Sequence, residues 1–479
     1  MLGHIPPIGQ AFRSITRESS VWIRWLLVIA MLLTAIGLSF IATDQYFYLL
    51  LGLVPAIVVV LFLIRWPALG LIALIVASLL IPFAFGTGTG TDLNPTVLII
   101  ALLSGLWLMD MIAKKRQVKL VSSRTTLPLV ALIISAIISF MAGQFPWFVF
   151  SRQMAPLSAQ IGGLAIFFIS AAAFFLVANQ VREIRWLEWL TWAFISLGAI
   201  YFIGWLIPLI GSITSRLFQP GATDGGMLWT WFVAMAFAQA IFNKKLKIGW
   251  RLFLVGAVGA ALYIAYFLNG GWKSGYMPAL IAIAAILSLR SWRLGLLMGL
   301  VGLWLTPAII SDAIVTDEYS YATRLEAGTI ILELVKTSPI VGFGPANYHF
   351  YTPLIPLRGY FAPFNSHNQY LDLLAQIGII GLIIFFWFFF EVGKLGYQLR
   401  NRVQEGFEQA YVYGVLGGLA GTIVAGVLAD WILPFVYNIG FNGLRASTLA
   451  WIFMGGLVSL GEITRRRESA EARLDSQTG

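Results

Sequence analysis

The chain has 479 residues and no cysteine. That absence excludes disulfides, thiol catalysis and cysteine metal sites. Histidine is nearly as scarce, with only His4, His349 and His367. No cluster of histidines and acids has metal-ligand spacing, so neither a metal nor another cofactor is expected. Charge is the third shortage. Only 11% of residues are charged, against roughly 25% in soluble domains.

What fills the chain instead is apolar: 59% of residues are hydrophobic. They are grouped in runs of about 17–25, the length a helix needs to cross a hydrocarbon core. Backbone polar groups cannot stay unpaired in lipid, so such runs must form helices or a closed barrel. A barrel would alternate apolar and polar residues. Segments 49–64 and 254–268 do not alternate, so the fold class is an all-α, polytopic helical membrane protein. The spans fall near 22–42, 46–64, 67–85, 95–113, 127–143, 160–179, 186–210, 226–242, 250–268, 276–289, 293–310, 375–393, 409–429 and 444–461. The tenth and eleventh are short enough to be partly re-entrant, which leaves about 12–14 transmembrane helices. The first run is too long for a signal-peptide core and lacks an Ala-x-Ala cleavage pattern, so it is expected to remain.

The net charge is +10. No basic domain or nucleic-acid motif accompanies it, so nucleic acid is not an expected partner. With the N-terminus placed in the cytoplasm, only Arg152, Arg216, Lys273, Arg324, Lys336, Arg358 and Arg445 of the 31 basic residues fall on the outer side. Every inside loop is then basic, as the positive-inside rule requires. The expected order is a cytoplasmic segment over 1–21, eleven spans over 22–310, an extracytoplasmic loop over 311–374, three spans over 375–464 and a disordered cytoplasmic tail over 465–479. The outward cations run against the sorting rule, and as a set they look like an anion site.

Loop 311–374 is rich in Tyr and Phe, too aromatic for a solvated tail. It reads as two helices joined by turns. The first runs from about Ser320 to Lys336 and stops at Thr337-Ser338-Pro339. Arg324 lies near its start, where the helix's own dipole prefers acids, so an external anion is its expected partner. Gly342-Phe343-Gly344-Pro345 is turn chemistry. The second helix is expected to start at Asn365-Ser366, which puts His367 in its first turn. The positive helix end there favours an anion and holds the imidazole neutral.

Ser366-His367-Asn368-Gln369-Tyr370, followed by Gly378-Ile379-Ile380-Gly381-Leu382, resembles the signature of the O-antigen ligase and polymerase superfamily. Arg324 with the downstream Pro339-x-x-Gly342-x-Gly344-x-x-Asn347 stretch, and Arg216 before the Pro220-Gly221 turn, are similar to two further family motifs. The resemblance implies a GT-C-like, metal-independent, inverting glycosyltransferase of the bacterial inner membrane. Its donor would be an undecaprenyl-diphosphate-linked glycan. Its acceptor would be a glycan, lipid A-core or another lipid-linked sugar, on the outer, periplasmic face. It assigns catalysis to His367, Arg324 and Arg216. Lys273, which stands where many members have arginine and so lacks the bidentate fork, is a diphosphate candidate together with Arg152. Tyr348 and Asn368 are candidate sugar or diphosphate contacts. Asp317, Glu318, Glu326 and Asp372 are weaker candidates for a catalytic carboxylate.

The competing reading is a lipid-linked glycan flippase or other transporter. Transporters often place ionisable residues at mid-span. Here Asp110, Glu391 and Asp430 all lie near span ends. A purely structural scaffold would leave the outward arginines without a purpose.

Overall fold

The computed structural model describes residues 66–86, 92–115, 119–148, 154–269, 272–316 and 318–478. The expected spans at 22–42 and 46–64, Arg152 and Asp317 lie outside them. The described residues are overwhelmingly helical, with a two-residue antiparallel strand pair (Phe85–Gly86 with Asp92–Leu93) the only sheet among them.

Prolines mark several helix starts, where their fixed φ fits and their missing N–H is not needed. They open α1 (Pro67–Leu80), α2 (Pro95–Met109), α6 (Pro208–Leu217) and α7 (Pro220–Thr223). Between and after these come α3 (Thr126–Ala142), α4 (Leu157–Gln180), α5 (Ile184–Leu206), α8 (Gly226–Phe242), α9 (Ile248–Tyr263), α10 (Lys273–Arg290) and α11 (Trp292–Thr316). The loop region supplies α12 (Glu318–Val335) and the single turn α13 (Tyr348–Tyr351). The chain then runs through α14 (Gln369–Leu399), α15 (Phe407–Leu428) and α16 (Gly440–Thr478). Seven of the described helices are long and apolar enough to cross a membrane. The chain is therefore an integral membrane protein. The two short spans expected at 276–289 and 293–310 are continuous helices, α10 and α11, without a re-entrant break.

The centre is built by α8, buried at nearly every position, against α10 and α15. Lipid supplies no hydrophobic drive between helices, so close approach through small residues does. A Cβ at Gly418 of α15 would sit 2.7 Å from the Trp231 ring, and one at Gly421 2.5 Å from the Pro278 carbonyl. On the other side α4 packs along α16 and α3 along α14.

Helix α14 is interrupted at Gly378, whose φ of 67° is left-handed. The interruption is sealed by the loop. Phe343 and Gly344 donate their amides to the carbonyls of Ala375 and Gln376, at 2.8 and 2.9 Å, ending the first half of the helix. Ile379 and Ile380, which begin the second half, donate to Pro339 and Ile340, at 2.9 and 3.4 Å. Four bonds to segment 339–344 thus replace helical bonds lost at the break, which satisfies backbone groups that could not stay bare here. This explains the Pro-x-x-Gly-x-Gly spacing. Gly342 also has positive φ (71°), and a Cβ there would lie 2.6 Å from the Gln376 backbone. Asn347 locks the segment laterally: its amide donates to Gly143 and Phe343 and accepts from Ala155.

At the chain's end the structure differs from the expected disordered tail. Helix α16 continues through 465–478. Arg402 pairs with Glu468 and Arg467 with Glu408 (2.8 Å), so charges that look solvated in the sequence hold the helix to neighbouring segments.

Gly378→Ala forces a side chain into left-handed backbone with its Cβ 2.1 Å from the Ile340 carbonyl oxygen. The expected cost is on the order of 2–4 kcal/mol. Gly105→Ala, with nothing within 4 Å, is expected to be neutral or slightly stabilising. Thermal unfolding of the purified protein in detergent compares the two, and equal midpoints would contradict the role given to the break.

Candidate functional site

Helix α15 ends at Leu428, and its last carbonyls need partners. They find them in the loop. Arg324 of α12 approaches the Leu428 carbonyl at 3.5 Å, Asn368 donates to Val427 at 3.0 Å, and the Tyr370 hydroxyl donates to Ile423 at 2.5 Å. A cation at a helix C-terminus is also favoured by the negative end of the dipole. The expectation that Arg324 has no dipole to serve considers only its own helix; across the fold it meets the end of another. That contact is long, and among the described residues Arg324 forms no ion pair. Most of its five-donor fork therefore remains available to a ligand.

His367 sits in this cluster, but not in a helical turn. The helix starts two residues later, and Asn368 is its N-cap, accepting from the amides of Tyr370 and Leu371 at 3.0 and 3.2 Å. His367 itself has φ 49°, left-handed backbone rarely adopted by a residue with a side chain. Such strain costs on the order of 1–3 kcal/mol and collects at functional sites. Its neighbours impose it. The Ser366 hydroxyl accepts from the Asn368 amide at 3.0 Å and donates to buried Asp372 at 2.7 Å, while Gln369 accepts from Ile432 and Leu433 at 3.0 and 2.8 Å.

The electrostatics follow from the packing. Surrounding protein lowers the proton affinity of His367 below its ordinary value, and Arg324 adds to this, while Asp430 opposes it. The residue as a whole stays exposed. At neutral pH it is therefore predominantly neutral and able to accept a proton. Asp430 follows α15 and is fully buried, with hydrogen bonds from Asn438 (2.7 Å) and the Phe435 amide (3.3 Å). Burial pushes its carboxyl above the ordinary carboxylate range; those bonds and His367 work against the shift.

The outward cations split by environment. Arg445 is buried and caps the end of α1, donating to Ser78, Ile81 and Phe83 at 3.0–3.2 Å. Lys336 pairs with Glu333 at 2.6 Å. Arg358 lies over Tyr319, and its amide is held by Glu326. Lys273 is mostly enclosed and paired with Asp312 at 2.8 Å, so it is not a free diphosphate ligand in this structure. Arg216 is exposed in the last turn of α6. Of the seven expected as a set, Arg216, Arg324 and Arg358 thus form no ion pair among the described residues, with Arg358 resting on Tyr319 and Arg324 on the Leu428 carbonyl.

Two expected substrate contacts prove to be internal. Tyr348 is fully buried against Phe435 with its hydroxyl on Asp372, so it has no face for a sugar. Asn368 spends both ends of its amide on the helix cap and Val427. Glu318 opens α12, where an acid suits the dipole, and Glu326 holds the Arg358 amide. Asp430 was missed as a site residue. It stands 63 positions from His367, and its one sequence signal is an acid at a span end.

The fold and cluster define a polytopic membrane protein with a polar site between the loop and the end of α15. Residues 221–386 match the O-antigen ligase family. No curated protein matches the chain. That match supports glycosyl transfer at a membrane, of the ligase/polymerase type. The matched stretch contains Lys273, Arg324, Tyr348, His367 and Asn368, and begins just after Arg216.

The electrostatic arrangement gives opposite signs for two variants. Removing the negative charge in Asp430→Asn lowers the His367 pKa further, and removing the positive charge in Arg324→Gln raises it. NMR titration of isotope-labelled histidine reads both, and shifts of the same sign would contradict the arrangement.

Proposed function

We propose that this protein moves a glycan from an undecaprenyl-diphosphate donor to a sugar hydroxyl at the outer face of the inner membrane, with inversion and without a metal. The observation that supports this best is Arg324 and a neutral His367 held together at the end of α15. The charge bias of the loops supports the outward orientation of that end, with both termini cytoplasmic.

The acceptor oxygen attacks the anomeric carbon of the donor. As that bond forms, the bond from this carbon to the phosphate oxygen breaks, and its electron pair leaves with the diphosphate. Arg324, joined by Arg216, stabilises the growing negative charge with charge-assisted hydrogen bonds. His367 takes the proton of the acceptor hydroxyl. The field of Asp430 favours the protonated imidazole, which helps it take that proton. Tyr360, exposed in the same loop, offers a ring face to a sugar.

The test is transfer by purified protein from a lipid-linked glycan. Arg324→Ala is expected to lose about 10²–10³ in rate, roughly 3–4 kcal/mol, and Arg324→Lys to recover part of it. His367→Ala is expected to lose rate without weakening donor binding. In the wild type, only neutral His367 is active, so rate falls as pH falls through its pKa, which lies below the ordinary 6.5. Wild-type rates in both alanine variants would remove the assignment. Ladder products from a single lipid-linked repeat identify a polymerase, and a single addition a ligase.

A further inference from the structure

Helix α14 links the candidate site to a second feature at its far end. There α14, α16 and the turn leading into α3 enclose a cavity of about 190 Å³, room for on the order of ten waters. Its walls come from one face of each helix. Glu391, Lys394, Leu395 and Gln398 recur at helical spacing along α14, with Arg402 just past its end, and Val458, Glu462 and Arg465 lie along α16. The third wall is Ser122 to Thr125, just before α3.

The charges in these walls are unevenly satisfied. Arg402 is held by Glu468, and Glu462 is taken by Arg465 and Arg466. Among the described residues Arg124 and Lys394 form no ion pair, although both line the cavity. The start of α3 lies in the third wall. Its cap residue Thr125 makes no side-chain cap, because its hydroxyl is engaged with Ser123 at 2.8 Å. The first amides of that helix are already spent, Thr126 donating to the Ser123 carbonyl at 3.2 Å and Leu129 to the Thr125 carbonyl at 3.3 Å. Leu395, Leu399 and Val458 give the floor an apolar lining.

We propose that this cavity binds a phosphate-bearing ligand, held by Arg124 and Lys394, at the end of α14 away from the candidate active site. An apolar floor under a cationic mouth suits a phosphate on a lipid headgroup. The same phosphate chemistry also occurs in a soluble phosphate ester, so the test separates the two sources.

The full-length protein in detergent is offered phosphatidylglycerol, phosphatidylcholine or glycerol phosphate. Retained adducts are read by native mass spectrometry and the unfolding midpoint by a thermal ramp, since a ligand of the folded state raises it. Several-fold preference for phosphatidylglycerol over phosphatidylcholine, with no response to glycerol phosphate, assigns a lipid headgroup. A raised midpoint with glycerol phosphate assigns a soluble ester. In either case Arg124→Gln with Lys394→Gln is expected to abolish the effect. Lys244→Gln with Lys247→Gln removes equal charge outside the cavity and is expected to preserve it. If the double variant does not fold, Arg124→Gln alone, at an exposed position, is expected to weaken the effect several-fold. No selective response from the wild type, or equal loss in cavity and control variants, overturns the proposal.

Discussion

The exchange of backbone hydrogen bonds at Gly378 is the constraint on which the site depends. A membrane-length helix is cut, and segment 339–344 is laid into the cut so that amides and carbonyls on both sides stay paired. The segment from Gln369 to Ile377 is thereby free to take its own direction. Gln369, Tyr370 and Asn368 use that direction to grip the end of α15 and the turn after it. Left-handed backbone at Gly342 and Gly378 makes the insertion possible without a side chain in the way. The same grip holds His367 in strained backbone, because Ser366 and Asn368 on either side are both committed.

Charge placement tells a related story. Seven cations on one side of a membrane protein invite a single explanation, yet the structure gives them several. Arg445 caps a helix, Lys336 and Lys273 pair with acids, and Arg358 rests on Tyr319. A guanidinium committed to structure has little left for a phosphate. For Arg324 the one hydrogen-bond partner among the described residues is a carbonyl at 3.5 Å, a contact that orients it while costing few donors. Orientation by a weak bond, with desolvation keeping the nearby imidazole neutral, suits a site that must bind an anion and accept a proton.

Much of the fold was legible because its signals are local. Long apolar runs mark the helices, prolines mark their starts, and the aromatic loop announces itself by length and composition. Arg324 and His367 could be read from motifs in one stretch of chain. What stayed hidden depends on distant pairing. Asp430 meets His367 only through the fold, and Tyr348 looks like an interface aromatic until Phe435 and Asp372 bury it. Nor does the sequence show that α14 is cut: Gly378 lies in an apolar run that reads as unbroken, and only segment 339–344 makes the cut tolerable. The helical tail is the same kind of case, since its stability rests on Glu408 and Arg402, far upstream.

The most direct measurement is a structure of the full-length protein with a non-transferable undecaprenyl-diphosphate sugar bound. Diphosphate oxygens are expected within hydrogen-bond distance of the Arg324 guanidinium, and the anomeric carbon on the side facing His367. A diphosphate seated elsewhere, with Arg324 still resting on the end of α15 and His367 remote from the sugar, would contradict it.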